Sequence, residues 1–315
     1  MCVRFTQLKL RAYVGSAALA SLLFIACVSA YGQSNLSQMH VTVLLSSNDV
    51  SYRSVTEQII NTSSSQIEIE VFKLYPNERS STQSDLVVTL GSKAFEAALL
   101  DYPDTPILAS FIPRRSYERL TAKFNRNDHQ VSALFIDQPM SRQVHLARLL
   151  VPGATVISTL FGQSSFKEKP FFEEAAAQYQ FTSRSSVLAS TDNPINIINP
   201  LISNSDIFLA IPDQGAFNKA SAKWSLYLAL RHKKPLIGFS ETYVKAGALA
   251  AVYSTTVQVG TETGELISDF QVSRQLNSPR YPKYFDVKIN ASTAKQLKLY
   301  PPSSDRLRST LQGNS

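Results

Sequence analysis

From residue 41 onward, short runs of β-branched and aliphatic residues alternate with longer stretches in which apolar positions recur every three or four residues. A strand covered by helices on both faces reads as a continuous apolar run, so this alternation marks parallel strands joined by helical crossovers. Strands are predicted over residues 41–45, 67–74, 86–90, 106–111 and 131–136. Helices are predicted over 52–61 and 93–100, and residues 77–84 form a polar loop. After Asp137-Gln138-Pro139 the pattern starts again, with helices over 141–150, 170–179, 194–202 and 218–231 and strands over 155–161, 207–211 and 235–238. The fold class is α/β, with two doubly wound parallel-sheet lobes. Residues 300–315 are polar and contain Pro and Ser, and are expected to be a disordered tail.

Composition supports two cores of ordinary domain size. The chain has 315 residues, 44% apolar and 17% charged, which excludes disorder throughout. Glycine, at 11 residues, is too sparse for low-complexity or collagen-like structure. Cys2 and Cys27 both fall in the first 30 residues, so neither a disulfide scaffold nor a Cys-based zinc cluster organises the rest. Of the formal charge of +7, Arg4, Lys9 and Arg11 supply three, leaving +4 on the remainder. That balance bears on solubility rather than on nucleic-acid binding.

Those three cations precede an apolar stretch, residues 17–28, and then Val28-Ser29-Ala30, the order of a Sec signal peptide over residues 1–30. Two alternatives stay open at this point. One is a membrane anchor, for which the apolar stretch falls short of the ~20 residues a bilayer needs. The other is a lipoprotein box, Phe24-Ile25-Ala26-Cys27, lipidated at Cys27. Export places the chain in the periplasm, where ATP and reduced nicotinamide are absent. The sequence also lacks a phosphate loop and a dinucleotide fingerprint, so no cofactor is expected.

No catalytic constellation emerges. His40, His129, His145 and His232 are scattered without zinc-helix spacing. There is no Gly-x-Ser-x-Gly elbow. Ser164-Ser165-Phe166-Lys167 matches Ser-x-x-Lys but lacks an accompanying Lys-Thr-Gly, leaving an exported hydrolase using Ser164 and Lys167 as a remote alternative. Glu173-Glu174 complements the dipole of a predicted helix start. The basic runs Arg114-Arg115 and Arg231-His232-Lys233-Lys234 are short, lie near predicted helix ends and lack interleaved aromatics, which argues against a nucleic-acid partner.

What remains is a cleft. In open α/β sheets small ligands bind beyond the carboxyl ends of strands, where loops enter helices. Those loops are residues 46–49, 91–93 and 110–112 in the first lobe, and 162–165, 212–214 and 239–241 in the second. Their hydroxyls and carboxylates, together with Phe111, Phe161, Phe217, Phe239 and Tyr253, suit a small polar ligand with an apolar portion.

Several segments carry a resemblance in order: Leu86-Val-Val-Thr-Leu-Gly-Ser-Lys93, Asp137-Gln-Pro-Met-Ser-Arg-Gln143, Leu149-Leu-Val-Pro-Gly-Ala-Thr-Val156, Asp206-Ile-Phe-Leu-Ala-Ile-Pro-Asp213, residues 234–250 and Val287-Lys-Ile-Asn290. Over residues 41–299 the chain resembles substrate-binding proteins of ABC transporters, in the group of periplasmic components related to tryptophan- and tyrosine-binding ABC lipoproteins. The resemblance implies a type I periplasmic-binding fold with a small-molecule ligand between two hinged lobes. It implies residues 39–136 plus 241–270 as the first lobe and 137–240 plus 271–299 as the second. The crossovers are expected near Asp137, near Ser240 and after Ile267.

Family positions map onto Gly91, Ser92 and Lys93 at a helix start, where amides would meet a ligand carboxylate. They also map onto Ser110 at a strand end, Asp137 at the first crossover, and Asp213, Ser240 and Glu241 in the second half. Lys93 departs from the usual small residue, and Glu241 replaces the usual Asp. If Asp137, Asp213 and Glu241 all face the cleft, they favour a cationic or zwitterionic ligand, because an unpaired buried charge is costly. The implied partner is an ABC permease in the inner membrane. A membrane sensor kinase, with the chain as the ligand-sensing subunit of a signalling system, is the competing reading.

Overall fold

The computed structural model describes residues 38–74, 83–126 and 130–313. The expected signal peptide, with Cys27, and most of the 77–84 loop lie outside the described residues. In order, the elements are β1 (Met39–Leu45), α1 (Val50–Thr62), β2 (Ile67–Lys73), β3 (Leu86–Leu90), α2 (Ser92–Asp101), β4 (Ile107–Ile112), α3 (Arg114–Phe124) and β5 (Val131–Phe135). There follow α4 (Met140–Leu150), β6 (Val156–Gly162), α5 (Lys169–Gln178), β7 (Thr182–Leu188), α6 (Pro194–Ser203), β8 (Ile207–Leu209), α7 (Lys219–Arg231), β9 (Leu236–Gly238), α8 (Glu241–Lys245), β10 (Ala250–Tyr253), α9 (Thr256–Ser273), β11 (Asp286–Ile289), α10 (Ala291–Gln296) and α11 (Ser304–Gln312).

Two sheets result, of order β2-β1-β3-β4-β5 and β11-β10-β9-β8-β6-β7. Strand β3 in the interior of the first sheet and β5 at its end are buried at every position, as their mostly apolar runs require. The edge strands β2 and β7 expose alternate or polar positions. β11 runs antiparallel beside β10. Both sheets belong to one contact unit, residues 40–315.

The chain passes from the first sheet to the second between β5 and α4. It returns after Tyr253, because α9 packs on α1 of the first sheet. Two glycines permit that approach. A Cβ at Gly260 would lie 2.6 Å from Gln58 Cβ and 2.7 Å from the Val55 carbonyl, and one at Gly264 would lie 2.8 Å from Thr62 Cβ. A third passage, between α9 and β11, first pairs with the free edge of β5, where the Arg280 N–H donates to the Ala133 carbonyl and the Phe135 N–H donates to the Arg280 carbonyl.

Three expectations are corrected here. The second crossover lies at residues 254–255 rather than near Ser240, since β10 pairs in parallel with β9. Residues 241–253 therefore sit on the second sheet, not the first. The C-terminal segment is helical over Ser304–Gln312 rather than disordered: α11 is capped by Ser303 and buries Leu307 and Leu311 against the second sheet's core. Its apolar residues are four apart, one helical turn, in an otherwise polar sequence.

Candidate functional site

The crossovers are tied together by buried polar groups. Gln138 Nε2 donates to Ser254 Oγ at 2.9 Å, and Ser254 Oγ donates to the Tyr284 carbonyl at 2.6 Å, so one residue from each passage joins a single chain of hydrogen bonds. Arg142, on α4, donates to Gln138 Oε1 at 2.7 Å and to the Pro282 carbonyl at 3.0 Å, and its guanidinium lies 4.1 Å from the Phe285 ring centre. Burial lowers the Arg142 pKa to about 10, with Glu262 opposing the shift, so it stays charged at neutral pH. Glu262, fully buried on α9, pairs with Arg280 at 3.0 Å and accepts from the Lys283 amide at 2.9 Å.

Beside this strap, the loop after β4 meets the loops after β6 and β8. Arg114 and Arg115 open α3 on the first sheet, and Asp137 at the end of β5 accepts the Arg114 amide hydrogen bond at 2.6 Å. Asp137 thus serves a helix start whose own cap residue, Pro113, offers no side-chain acceptor. Burial pushes its carboxyl up, although the Arg114 amide and the two guanidiniums pull the other way.

Across the seam, Asp213 lies beyond β8. Its carboxylate accepts from the Gly215 amide at 2.7 Å, Ser164 Oγ at 3.1 Å, the Gly162 amide at 3.2 Å and the Ala216 amide at 3.3 Å. Burial alone would raise this carboxyl, but hydrogen bonds from Ser165, Gly215, Ser164 and Ala216 outweigh it and hold the pKa below the usual value. Gly162 must be glycine for this grip, since a Cβ there would sit 2.8 Å from Asp213 Oδ2.

Arg115 joins the two sides. Its Nη1 lies 3.5 Å from Asp213 Oδ2, its Nη2 donates to the Pro212 carbonyl, and its Nε lies 3.6 Å from Glu168 Oε1. Arg114 Nη2 approaches the same Glu168 oxygen at 3.7 Å, while its Nη1 pairs with Glu118 at 2.8 Å and its guanidinium covers Phe171 at 4.5 Å. Burial raises the Glu168 pKa, with Arg115 opposing and Asp137 adding to the rise. A cavity of about 330 Å³ opens here, lined from both sheets by Arg114, Arg115, Asp137, Glu168, Phe171 and Tyr281 among others. Gln143, which also lines it, leaves its buried Oε1 without a hydrogen-bond partner. Burial pushes the Tyr281 hydroxyl up to about 12, so it remains a donor.

Of the residues marked in the sequence, Asp137 and Asp213 are brought to this seam, Asp137 holding the Arg114 amide and Asp213 facing Arg115. Their carboxylates are already engaged by backbone amides. Ser110 is not in the cavity: it is fully buried and its Oγ shares a 2.6 Å hydrogen bond with Thr263 of α9, so it locks the α9 contact. Gly91, Ser92 and Lys93 begin α2 outside the cavity lining. Gly91 takes φ +86°, and the Ala94 amide donates to Ser46 Oγ at 2.8 Å. Ser240 caps α8, accepting from the Tyr243 amide at 3.2 Å, and Glu241 pairs with Lys245 at 3.1 Å and Lys288 at 3.9 Å. Neither of these two lines the cavity.

The sequence reading missed Arg114, Arg115 and Glu168 as a group. The adjacent arginines were visible as a charge run, but their partners are distant in sequence. Ser164 and Lys167 form no hydrogen bond to each other among the described residues; Ser164 donates to Asp213 and Lys167 is exposed. Among the described residues no group of three or more His, Cys, Asp or Glu side chains is arranged to hold a metal, and no helix is long and apolar enough to cross a membrane.

Comparisons with known proteins agree with this architecture. A conserved domain protein from Vibrio cholerae O1 biovar El Tor superposes with a TM-score of 0.59 at 15% identity, covering 86% of this chain and 98% of that one. An ABC domain from Streptococcus pneumonia in complex with L-Trp gives 0.58 at 18% identity, covering 85% and 97%. A ligand-free, open substrate-binding protein with adhesive properties from Clostridium difficile gives 0.69 at 16% identity, with the same coverage. The expected type I periplasmic-binding fold is the fold observed. No curated protein sequence matches. The model of the family described as ABC transporter substrate binding protein matches residues 45–300, more than half of the chain, and the chain belongs to that family.

Proposed function

We propose that this protein is an extracytoplasmic receptor that captures a small solute between two hinged lobes, one on each sheet, and presents it to an ABC importer. The observation that carries the reading is the seam: Arg115 reaches from the first sheet to Asp213 and Glu168 on the second, beside a cavity lined from both. A solute that alters those contacts couples its own binding to the angle between the lobes, the hinge motion such folds use. Orphaned Gln143 Oε1 and the Glu168 carboxylate offer acceptors to an ammonium, the two guanidiniums suit a carboxylate, and Phe171 and Tyr281 supply apolar walls. This supports a zwitterion such as an amino acid, and the L-Trp bound to the Streptococcus pneumonia protein is in keeping with it.

The test is thermal denaturation against a panel of amino acids, with sugars and polyamines as contrasts. Stabilisation by one solute class, lost in Arg115→Ala and retained in Lys298→Ala on the remote surface, is the expected result. Absence of stabilisation by every class overturns the reading.

A further inference from the structure

Away from the seam, α7, α8 and α10 of the second sheet enclose an open groove of about 800 Å³. One wall is a stripe along α7, Lys219, Ala222, Lys223, Leu226, Tyr227 and Leu230, spaced three and four apart so that all six share a face. The other wall includes Thr242, Ala246, Thr293 and Leu297. Tyr227 and Leu230 are half exposed, and Trp224 beside them is 42% exposed and packs edge-on against Tyr227 at 5.7 Å. An aromatic and aliphatic strip of this kind is common at protein interfaces and uncommon on an isolated surface.

Charge identifies the occupant. Lys219, Lys223, Lys234 and Lys245 line the groove, and no Asp or Glu among the described residues does. Lys234 and Lys245 have partners, Asp206 at 3.9 Å and Glu241 at 3.1 Å. Lys219 and Lys223 have no ion pair among the described residues, and both are exposed. They stand one turn apart on one helix, where like charges repel. Lys219 is also the first residue of α7, where the helix dipole disfavours a cation, and no acid in the first turn offsets it. The fold therefore bears an uncompensated positive charge at one end of an apolar groove. Tyr243, which also lines the groove, buries its hydroxyl without a partner, one more donor lacking an acceptor.

We infer that this groove docks an acidic amphipathic helix of a partner protein, its apolar face on the α7 stripe and two carboxylates one turn apart on Lys219 and Lys223. The stripe runs for about three helical turns, long enough to seat such a helix and longer than a compact solute requires. The inference is independent of solute capture at the seam.

Trp224 is the chain's single tryptophan, so its fluorescence reports on this face. The purified chain is titrated with a designed peptide of about four turns carrying a leucine stripe and glutamates one turn apart, and with the same peptide bearing lysines in place of the glutamates. The acidic peptide is expected to shift Trp224 emission saturably, more weakly at high salt. Lys219→Glu combined with Lys223→Glu is expected to weaken it at least tenfold, while the solute-induced thermal shift at the seam persists. Tyr227→Ala, which leaves every charge in place, is expected to weaken it as well. The inference is overturned by equal binding of the basic peptide, by indifference to both variants, by concentration-dependent self-association that protects Trp224, or by complete displacement of the peptide by a short fatty carboxylate, which would mark a small-molecule pocket.

Discussion

The two strand edges that meet at the seam hold their charge in opposite ways. On the second sheet, Asp213 has a side chain with no exposed surface and is gripped by four protein donors, so its charge is fixed in the framework. On the first, the charges are the guanidiniums of Arg114 and Arg115, 15% and 21% exposed, on long side chains able to withdraw. A buried carboxylate saturated by backbone amides organises loops, whereas a partly exposed arginine is free to exchange one partner for another. The difference assigns the roles: the second edge is the fixed wall, the first carries the movable contact.

The comparison breaks most severely if the fixed wall is emptied. Asp213→Ala leaves the Gly215 and Ala216 amides without their acceptor and takes one partner each from the Gly162 amide and Arg115, and losing one member of such a buried charged cluster costs about 3–5 kcal/mol. The expected fall in Tm is roughly 6–15 °C, read by calorimetry. A change under about 1 kcal/mol would show that the carboxylate is not structural.

The first edge has its own rigid point at Gly91. With φ +86° and ψ 170° it occupies a region open to glycine alone, and an added Cβ would meet Tyr52 Oη at 2.7 Å and Ser46 Oγ at 2.8 Å. Gly91→Ala is expected to cost about 1–3 kcal/mol in urea denaturation. It is also expected to loosen the start of α2, seen as faster hydrogen exchange at Ala94, whose amide Ser46 accepts.

How much of this was legible beforehand depended on whether the chain states it locally. Strands such as Leu86–Leu90 and Val131–Phe135 are apolar at four of five positions and declare themselves. The long helix α9 does not: it buries Gly260 and Gly264 against α1 because their small size admits the neighbouring backbone, and glycines add nothing to a hydrophobic stripe. Likewise β7 is a polar edge strand held by its register with β6. At the site, Asp137 and Asp213 were recognisable as acids at strand ends. Their use was not, because the donors that consume them are backbone amides. Arg115 and Asp213 are 98 positions apart, Gln138 and Ser254 are 116 apart, and no local pattern encodes such pairs.

Removing the movable contact sharpens the comparison without dismantling either wall. Arg115→Ala leaves Asp213 its four hydrogen bonds, so the stability loss is expected to be about 1–2 kcal/mol. The larger consequence is conformational. With the bridge gone, the solute-free protein is expected to populate wider lobe separations, measured as an increased radius of gyration in small-angle X-ray scattering. An unchanged scattering curve would mean that the strap through Gln138, Ser254 and Tyr284 alone sets the angle.

The smallest effect is the dependence on pH, and its sign separates two acids of the second edge. Glu168 has a folded pKa raised by burial above its unfolded value, so between those two values the folded state holds more protons than the unfolded one. Its contribution to stability therefore declines as pH rises through that window and is flat above it. Asp213 runs the other way: its folded pKa is depressed, so the stabilisation it gives is present above the unfolded value and is lost as pH falls towards the folded one. Starting from neutral pH, acidification should first favour the folded state slightly as Glu168 takes up its proton and relaxes its demand on Arg114 and Arg115, and only then undermine it as Asp213 is neutralised. Glu168→Gln removes the first phase and leaves the second, by less than about 1 kcal/mol at any pH because the ion contacts at 3.6 and 3.7 Å are long. Urea denaturation curves at half-unit pH steps resolve the two phases, and a first phase that survives in Glu168→Gln assigns it to Asp137 instead, whose folded pKa is also raised by burial.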